Sequence, residues 1–194
     1  MPSQEPVVRL LLIDDKLEDA EHSISLLRNG GIPVRPSRPE SLKELEATLA
    51  GAGCDLVLAN HTAGMIPFGT VAEAITASGK DIALIALLEQ PDETALNDIF
   101  AKGARNFALR GRAEHLQRVI RREAGILERR RQVRRLEAAL RETERRCDSL
   151  IASSRDPIAY VHEGMHIRAN HAYLEMFGYE SFEEIEGLPL LDMV

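Results

Sequence analysis

The chain of 194 residues carries only two cysteines, Cys54 and Cys147, which fall in different segments without metal-ligand spacing. That argues against a disulfide framework or a zinc site and leaves ordinary buried or helix-face thiols. Its six histidines are scattered, which argues against a histidine metal centre. There is no run of about 18 apolar residues, and the start MPSQEPVVRL has no basic segment leading into an apolar core. Neither a membrane span nor a secretory signal is therefore expected, and a cytoplasmic location is. The formal net charge is −7, modestly negative, yet arginine is concentrated between Arg110 and Arg146. Nucleic-acid binding through Arg129, Arg130, Arg131, Arg134 and Arg135 is disfavoured, because no helix-turn-helix or aromatic platform accompanies them and a solvated helix face explains them. Between Arg112 and Ser149 there is no proline, and the only glycine is Gly125.

What the chain does contain is a series of apolar runs alternating with helical patterns. Val7 to Ile13 is a first strand ending in Asp14 and Asp15. Lys16 to Asn29 carries Ala20, Ile24 and Leu27 at helical spacing and is stopped by Gly30 and Gly31. Prolines at 33, 36 and 39 restrict any second strand to a short stretch at a sheet edge. Ser41 and Glu44 form a capping-box pattern before a helix lined by Leu42, Leu45 and Leu49. After the third strand, Val71, Ala74 and Ile75 mark a helix, Asp81 to Leu88 a strand, and Asp92 the cap of a helix with Ala95, Ile99 and Phe100 inward. Arg105 to Leu109 is a fifth strand. Five strands alternating with helices predict a parallel, doubly wound α/β sheet covered on both faces.

The third strand, DLVLAN from Asp55 to Asn60, is the one the sheet is centred on. Four consecutive apolar residues indicate burial on both faces. In such a sheet chemistry sits beyond the carboxyl ends of the strands, near the point where strand order reverses. Asn60 holds that position, and an amide there is neither a ready nucleophile nor an anionic ligand. Asp55 cannot substitute, since five extended residues place it about 16 Å away.

Beyond Arg112 the pattern changes to one long helix. Val119, Ile126, Val133, Leu140 and Cys147 recur every seven residues, with Leu136, Thr143 and Leu150 in the companion position, although Arg122 and Arg129 interrupt it. Leu116 and Ile120 are expected to pack on the sheet, and the remainder to form a parallel homodimer through Val119, Ile126, Val133, Leu136 and Leu140. A hairpin folded against the following segment is the alternative.

LLIDD at Leu11 to Asp15, the DLVLAN strand end and GARNFALR at Gly103 to Arg110 together resemble the receiver domain of two-component response regulators, a five-stranded flavodoxin-like fold. The resemblance covers residues 1–120, with the helix of 112–150 continuous with the last receiver helix. It implies that Asp14 and Asp15 correspond to the acidic pair that helps hold magnesium. Asn60 corresponds to the phosphorylated aspartate, Leu88 to a threonine or serine, Arg110 to a lysine, and Phe107 to an aromatic switch. Three of these depart from the pattern, so the positions read as vestigial, with no catalytic residue and no enzyme activity expected. No cofactor is expected; weak magnesium or calcium binding at Asp14 and Asp15 is weighed evenly against a metal-free strand end. His61 is an alternative phosphoacceptor only in principle, as a loop histidine.

Residues 151–194 resemble the opening of a PAS domain, an incomplete α+β segment in which Asn170, Ala172, Phe177, Gly178 and Tyr179 carry the likeness; His166 and His171 are read as structural. A receiver, a long helix and a PAS segment in this order resemble the amino-terminal part of FimX-type cyclic-di-GMP signalling proteins, which govern type IV pili and twitching motility. The function expected is that of a regulatory and dimerisation module with a protein partner for the receiver surface. The alternative is a phosphorylatable regulator or sensor-kinase input module using an atypical site.

Overall fold

The computed structural model describes residues 7–51 and 53–190. Strands β1 (Val8–Ile13), β2 (Val34–Ser37), β3 (Leu56–Asn60), β4 (Ala83–Leu88) and β5 (Asn106–Leu109) form one parallel sheet in the order β2-β1-β3-β4-β5. This is the expected flavodoxin-like order, with β3 in the middle and the order reversing between β1 and β3. Helices α1 (Leu17–Asn29), α2 (Leu42–Ala50), α3 (Phe68–Ser78) and α4 (Glu93–Ala101) connect the strands, and α5 (Ala113–Ser153) follows β5.

Strand alternation divides the apolar runs between two cores. Leu11, Ile13, Val57, Ala59, Leu84, Ala86 and Leu88 pack with Leu45 and Leu49 of α2, Val71 and Ile75 of α3 and Ile99 of α4. Leu10, Leu12, Leu56, Leu58, Ile85 and Leu87 pack with Ala20 and Leu27 of α1 and Leu116, Val119 and Ile120 of α5. Covering both faces is what requires β3 and β4 to be continuously apolar, and each leucine buried in this way stabilises the fold by roughly 1.5–3 kcal/mol.

Local signals mostly place the helices as their residues predict. The Ser41 hydroxyl accepts from the Glu44 N–H at 3.3 Å, but the Glu44 carboxylate bonds the N–H of Glu40, at 2.9 Å, so the reciprocal half of the box closes one residue early. Lys80 completes the other end of α2, its Nζ donating to the carbonyls of Leu49, Ala50 and Gly51 at 2.5, 3.0 and 2.6 Å, where orphan acceptors and the negative end of the helix dipole coincide. Two expected inward residues are not inward. Leu42, at the first position of α2, is 41% exposed, and Phe100, set about 100° round α4 from the buried Ile99, is 47% exposed.

In α5 the buried residues are Leu116, Val119, Ile120, Glu123 and Leu127. Val119 is therefore not available to a dimer seam; its own sheet covers it. Ile126 is half-buried, whereas Val133, Leu136 and Leu140 are 52%, 63% and 61% exposed. The stripe through Ile126, Val133 and Leu140 lies about a third of a turn round the helix from the face carrying Leu116, Ile120 and Leu127. The two apolar faces are separate.

The chain divides into two compact units, Met1–Arg131 and Gln132–Val194. The first runs past residue 120, and near its end Arg130 and Arg131 are ion-paired to Asp81 and Asp55 at 2.9 and 2.7 Å. In the second, β6 (Ala159–His162) and β7 (Met165–Ala169) form an antiparallel hairpin turning at Glu163 and Gly164, both at positive φ. Helix α6 (His171–Phe177) follows and is stopped by Gly178. Buried Asn170 organises this unit: its Nδ2 donates to the carbonyls of Ile151 and Asp156 while its Oδ1 accepts from the N–H groups of Ile158 and Tyr173. His166 is fully buried, its ring nitrogens bonded to the Leu188 carbonyl and the Tyr173 hydroxyl.

Candidate functional site

The carboxyl ends of β1, β3, β4 and β5 bring Asp14, Asp15, Asn60, Leu88 and Arg110 to one rim of the sheet, because parallel strands in register end together. Asp14 directly follows β1 with its side chain 2% exposed, and its Oδ2 accepts from Arg110 Nη2 at 2.6 Å. Arg110 follows β5, where its N–H is fixed to the Leu88 carbonyl at 2.7 Å, and its guanidinium also pairs with Asp19 at 3.1 Å and reaches Glu89 at 4.0 Å. Asp15 points elsewhere. Its two carboxylate oxygens accept from the N–H groups of Gly64 and Met65 at 2.7 and 3.0 Å, and these two bonds hold its carboxyl below the ordinary aspartate range.

Asn60 ends β3 and turns its Oδ1 to the N–H and hydroxyl of Thr62, both at 3.1 Å. That local turn is a structural use of an amide that a polar strand end allows. His61 pairs through Nε2 with Asp98 at 2.9 Å, and Lys102 meets the same oxygen at 2.7 Å. Phe107, half-buried in β5, lies between Phe100, edge-on at 6.4 Å, and His115 at 5.6 Å. His115 in turn accepts the Leu109 N–H on Nδ1 at 3.2 Å.

Neither a protein-family model nor a curated protein matches the sequence. Solved structures do match the fold. A signal receiver domain assigned to a LuxO repressor of Vibrio parahaemolyticus superposes with a TM-score of 0.58 at 14% identity, over 66% of this chain and 98% of that one. The receiver domain of a sensor histidine kinase from Pseudomonas aeruginosa, with magnesium in its active-site cleft, gives 0.53 at 17%, over 62% and 99%. A CheY-like receiver domain protein from Methanospirillum hungatei gives 0.54 at 14%, over 64% and 99%. The fold is that of a response-regulator receiver domain.

At the positions that end β3 and β4 the chain presents an amide and an aliphatic side chain. Asn60 offers an amide, and Leu88 offers no hydroxyl; its side chain is 3% exposed and belongs to the core with Ile99. A divalent ion at this rim would compete with partners already in place, since Asp14 faces a guanidinium and each oxygen of Asp15 accepts a backbone N–H. Among the described residues no group of three or more His, Cys, Asp or Glu is placed to hold a metal. Arg38, which the sequence did not single out, donates to the carbonyls of Asp14 and Asp15 at 3.2 and 3.3 Å and fixes the acidic corner of the receiver. Its position just past β2 was the available signal, since β2 ends on the same rim.

The opposite rim holds a second charged cluster. Asp55, 6% exposed, receives the Arg9 N–H at 2.8 Å, Arg9 Nη2 at 2.7 Å and Arg131 Nη2 at 2.7 Å. Burial alone would raise this carboxyl, but the hydrogen bonds from Arg9 and Arg131 outweigh it and bring it down to about 2. Asp81 likewise meets Arg105 and Arg130, at 2.8 and 2.9 Å. Two of the arginines considered for nucleic acid are thus spent inside the receiver.

Proposed function

We propose that the chain is a non-enzymatic regulatory and dimerisation module of a bacterial signalling protein, whose receiver works without accepting a phosphoryl group. The observation that carries this reading is Asn60 at the end of the central strand, with its Oδ1 held by Thr62. An amide carbonyl cannot form an acyl phosphate under ordinary conditions. Leu88 and Arg110 support it, because the neighbouring positions have changed in the same direction. The outward stripe of Val133, Leu136 and Leu140 supports a role for α5 as a parallel dimer seam. The β6–β7 hairpin with α6 supports a PAS-like second unit. The order of receiver, long helix and PAS-like unit supports a place in cyclic-di-GMP signalling linked to type IV pili and twitching motility, with a protein partner on the receiver surface.

Incubation with acetyl phosphate and magnesium is expected to leave the intact mass unchanged. A stable adduct of one phosphoryl group, mapped to any residue of the receiver, would overturn the proposal. No helix among the described residues is long and apolar enough to cross a membrane.

A further inference from the structure

Arg110 is the feature of the upper rim that the missing acceptor does not explain. A lysine at this point would supply one compact ammonium, but a guanidinium is a planar fork with donors along two edges and can satisfy several carboxylates at once. Here the fork meets Asp14 at the end of β1 (2.6 Å), Asp19 in α1 (3.1 Å) and, at 4.0 Å, Glu89 beyond β4. The Asp14 and Arg110 side chains are 2% and 18% exposed, so their attraction is little screened by solvent. Three carboxylates from three segments thus converge on one fixed positive charge.

We propose that Arg110 is the resident cation of this receiver, taking the charge position that a divalent ion would need and making the rim independent of metal. A magnesium ion requires near-octahedral oxygen ligands and gives up its waters reluctantly. To bind at Asp14 it would have to compete with the charge-assisted hydrogen bond of 2.6 Å on Oδ2, or use Oδ1, which accepts the Lys16 N–H at 3.3 Å, and in either case sit beside a positive group. The rim is thereby held in one arrangement whatever the divalent-ion supply. The inference rests on the receiver fold and on Arg110, not on the absence of an acceptor at Asn60.

The test is titration of the full chain with manganese and magnesium, followed by calorimetry and by manganese broadening of amide signals. Wild type is expected to show no saturable binding up to several millimolar, the weak end of protein divalent-ion sites. Arg110→Gln leaves Asp14 and Asp19 without their cation and is expected to gain one saturable site, roughly tenfold or more tighter than any residual wild-type binding, which Asp14→Asn removes. Should Arg110→Gln fail to fold, Arg110→Lys decides, because it keeps a charge but cannot bridge the same carboxylates; a weaker gain of the same site is then expected. Saturable binding to wild type with broadening around Asp14, or a folded Arg110 variant that gains nothing, overturns the proposal. A wild type that binds metal yet forms no acetyl phosphate adduct would overturn this inference and leave the proposed function standing.

Discussion

Asp55→Asn is expected to lower the stability of the receiver by about 2–3 kcal/mol. The carboxylate lies before β3, on the rim away from Asn60, and compensates Arg9 from β1 and Arg131 from α5 together. An amide of the same shape keeps the packing but leaves two guanidiniums facing a neutral group. The cost stays below that of a fully buried pair because the side chains of Arg9 and Arg131 are 37% and 31% exposed. The same network sets an acid limit. Its carboxyl is depressed from an ordinary 3.8 to about 2, so the stabilisation is complete above about pH 4 and is lost as pH falls toward 2. Urea unfolding at pH 7 and at pH 3 checks both points: the difference between wild type and variant should be large at pH 7 and shrink at pH 3. Because Arg131 donates to Asp55 Oδ1 at 2.7 Å, Arg131→Gln combined with Asp55→Asn should cost less than the sum of the two. Additive losses would show that Asp55 does not act through α5.

Replacing Val133, Leu136 and Leu140 together by serine is expected to convert a dimer into a monomer, read by light scattering as a halving of mass. These side chains are more than half exposed in the single chain, so the substitutions remove little packing within it. Serine costs only a few tenths of a kcal/mol per residue in helix propensity. The stability of the isolated receiver should therefore be unchanged, while the proposed association through the stripe should disappear. Val119 makes the contrast. Buried with Leu116 and Ile120 against the sheet, Val119→Ser should unfold the receiver before it affects association. A wild-type chain that stays monomeric at high concentration would remove the helix from the dimer reading.

The order of elements was legible because the forces that set it are local. Apolar runs of strand length, three prolines around β2, Ser41 and Asp92 as caps and the glycines after α1 and α3 all act within a few residues. DLVLAN could be placed at the centre of the sheet for the same reason, and with it the rim that holds Asp14, Asn60 and Arg110. What could not be read was which charges meet. Arg110 finds Asp14 across 96 positions, and Asp55 finds Arg9 and Arg131 across 46 and 76; no periodicity encodes those separations. The heptad stripe misled at Val119 because the same helix serves two faces. Its first turns follow the 3.6-residue period of a helix packed on a sheet, and only from Val133 onward is the seven-residue stripe exposed. Phe100 illustrates a smaller version of the problem. Adjacent to the buried Ile99, it looked inward by composition, yet it lies at the margin of the core against Phe107.

We propose that the rim carrying Asp14, Asn60 and Arg110 is closed by the protein's own charges and amides and does not respond to a phosphoryl group. The most direct measurement is the amide spectrum of the wild-type chain before and after magnesium with beryllofluoride, a mimic of the phosphoryl group. The signals of Gly64 and Met65, which report on Asp15, and of Thr62 and Arg110, which report on Asn60 and Asp14, are predicted to stay where they are. Saturable movement of those four signals together would contradict a rim closed to phosphoryl groups.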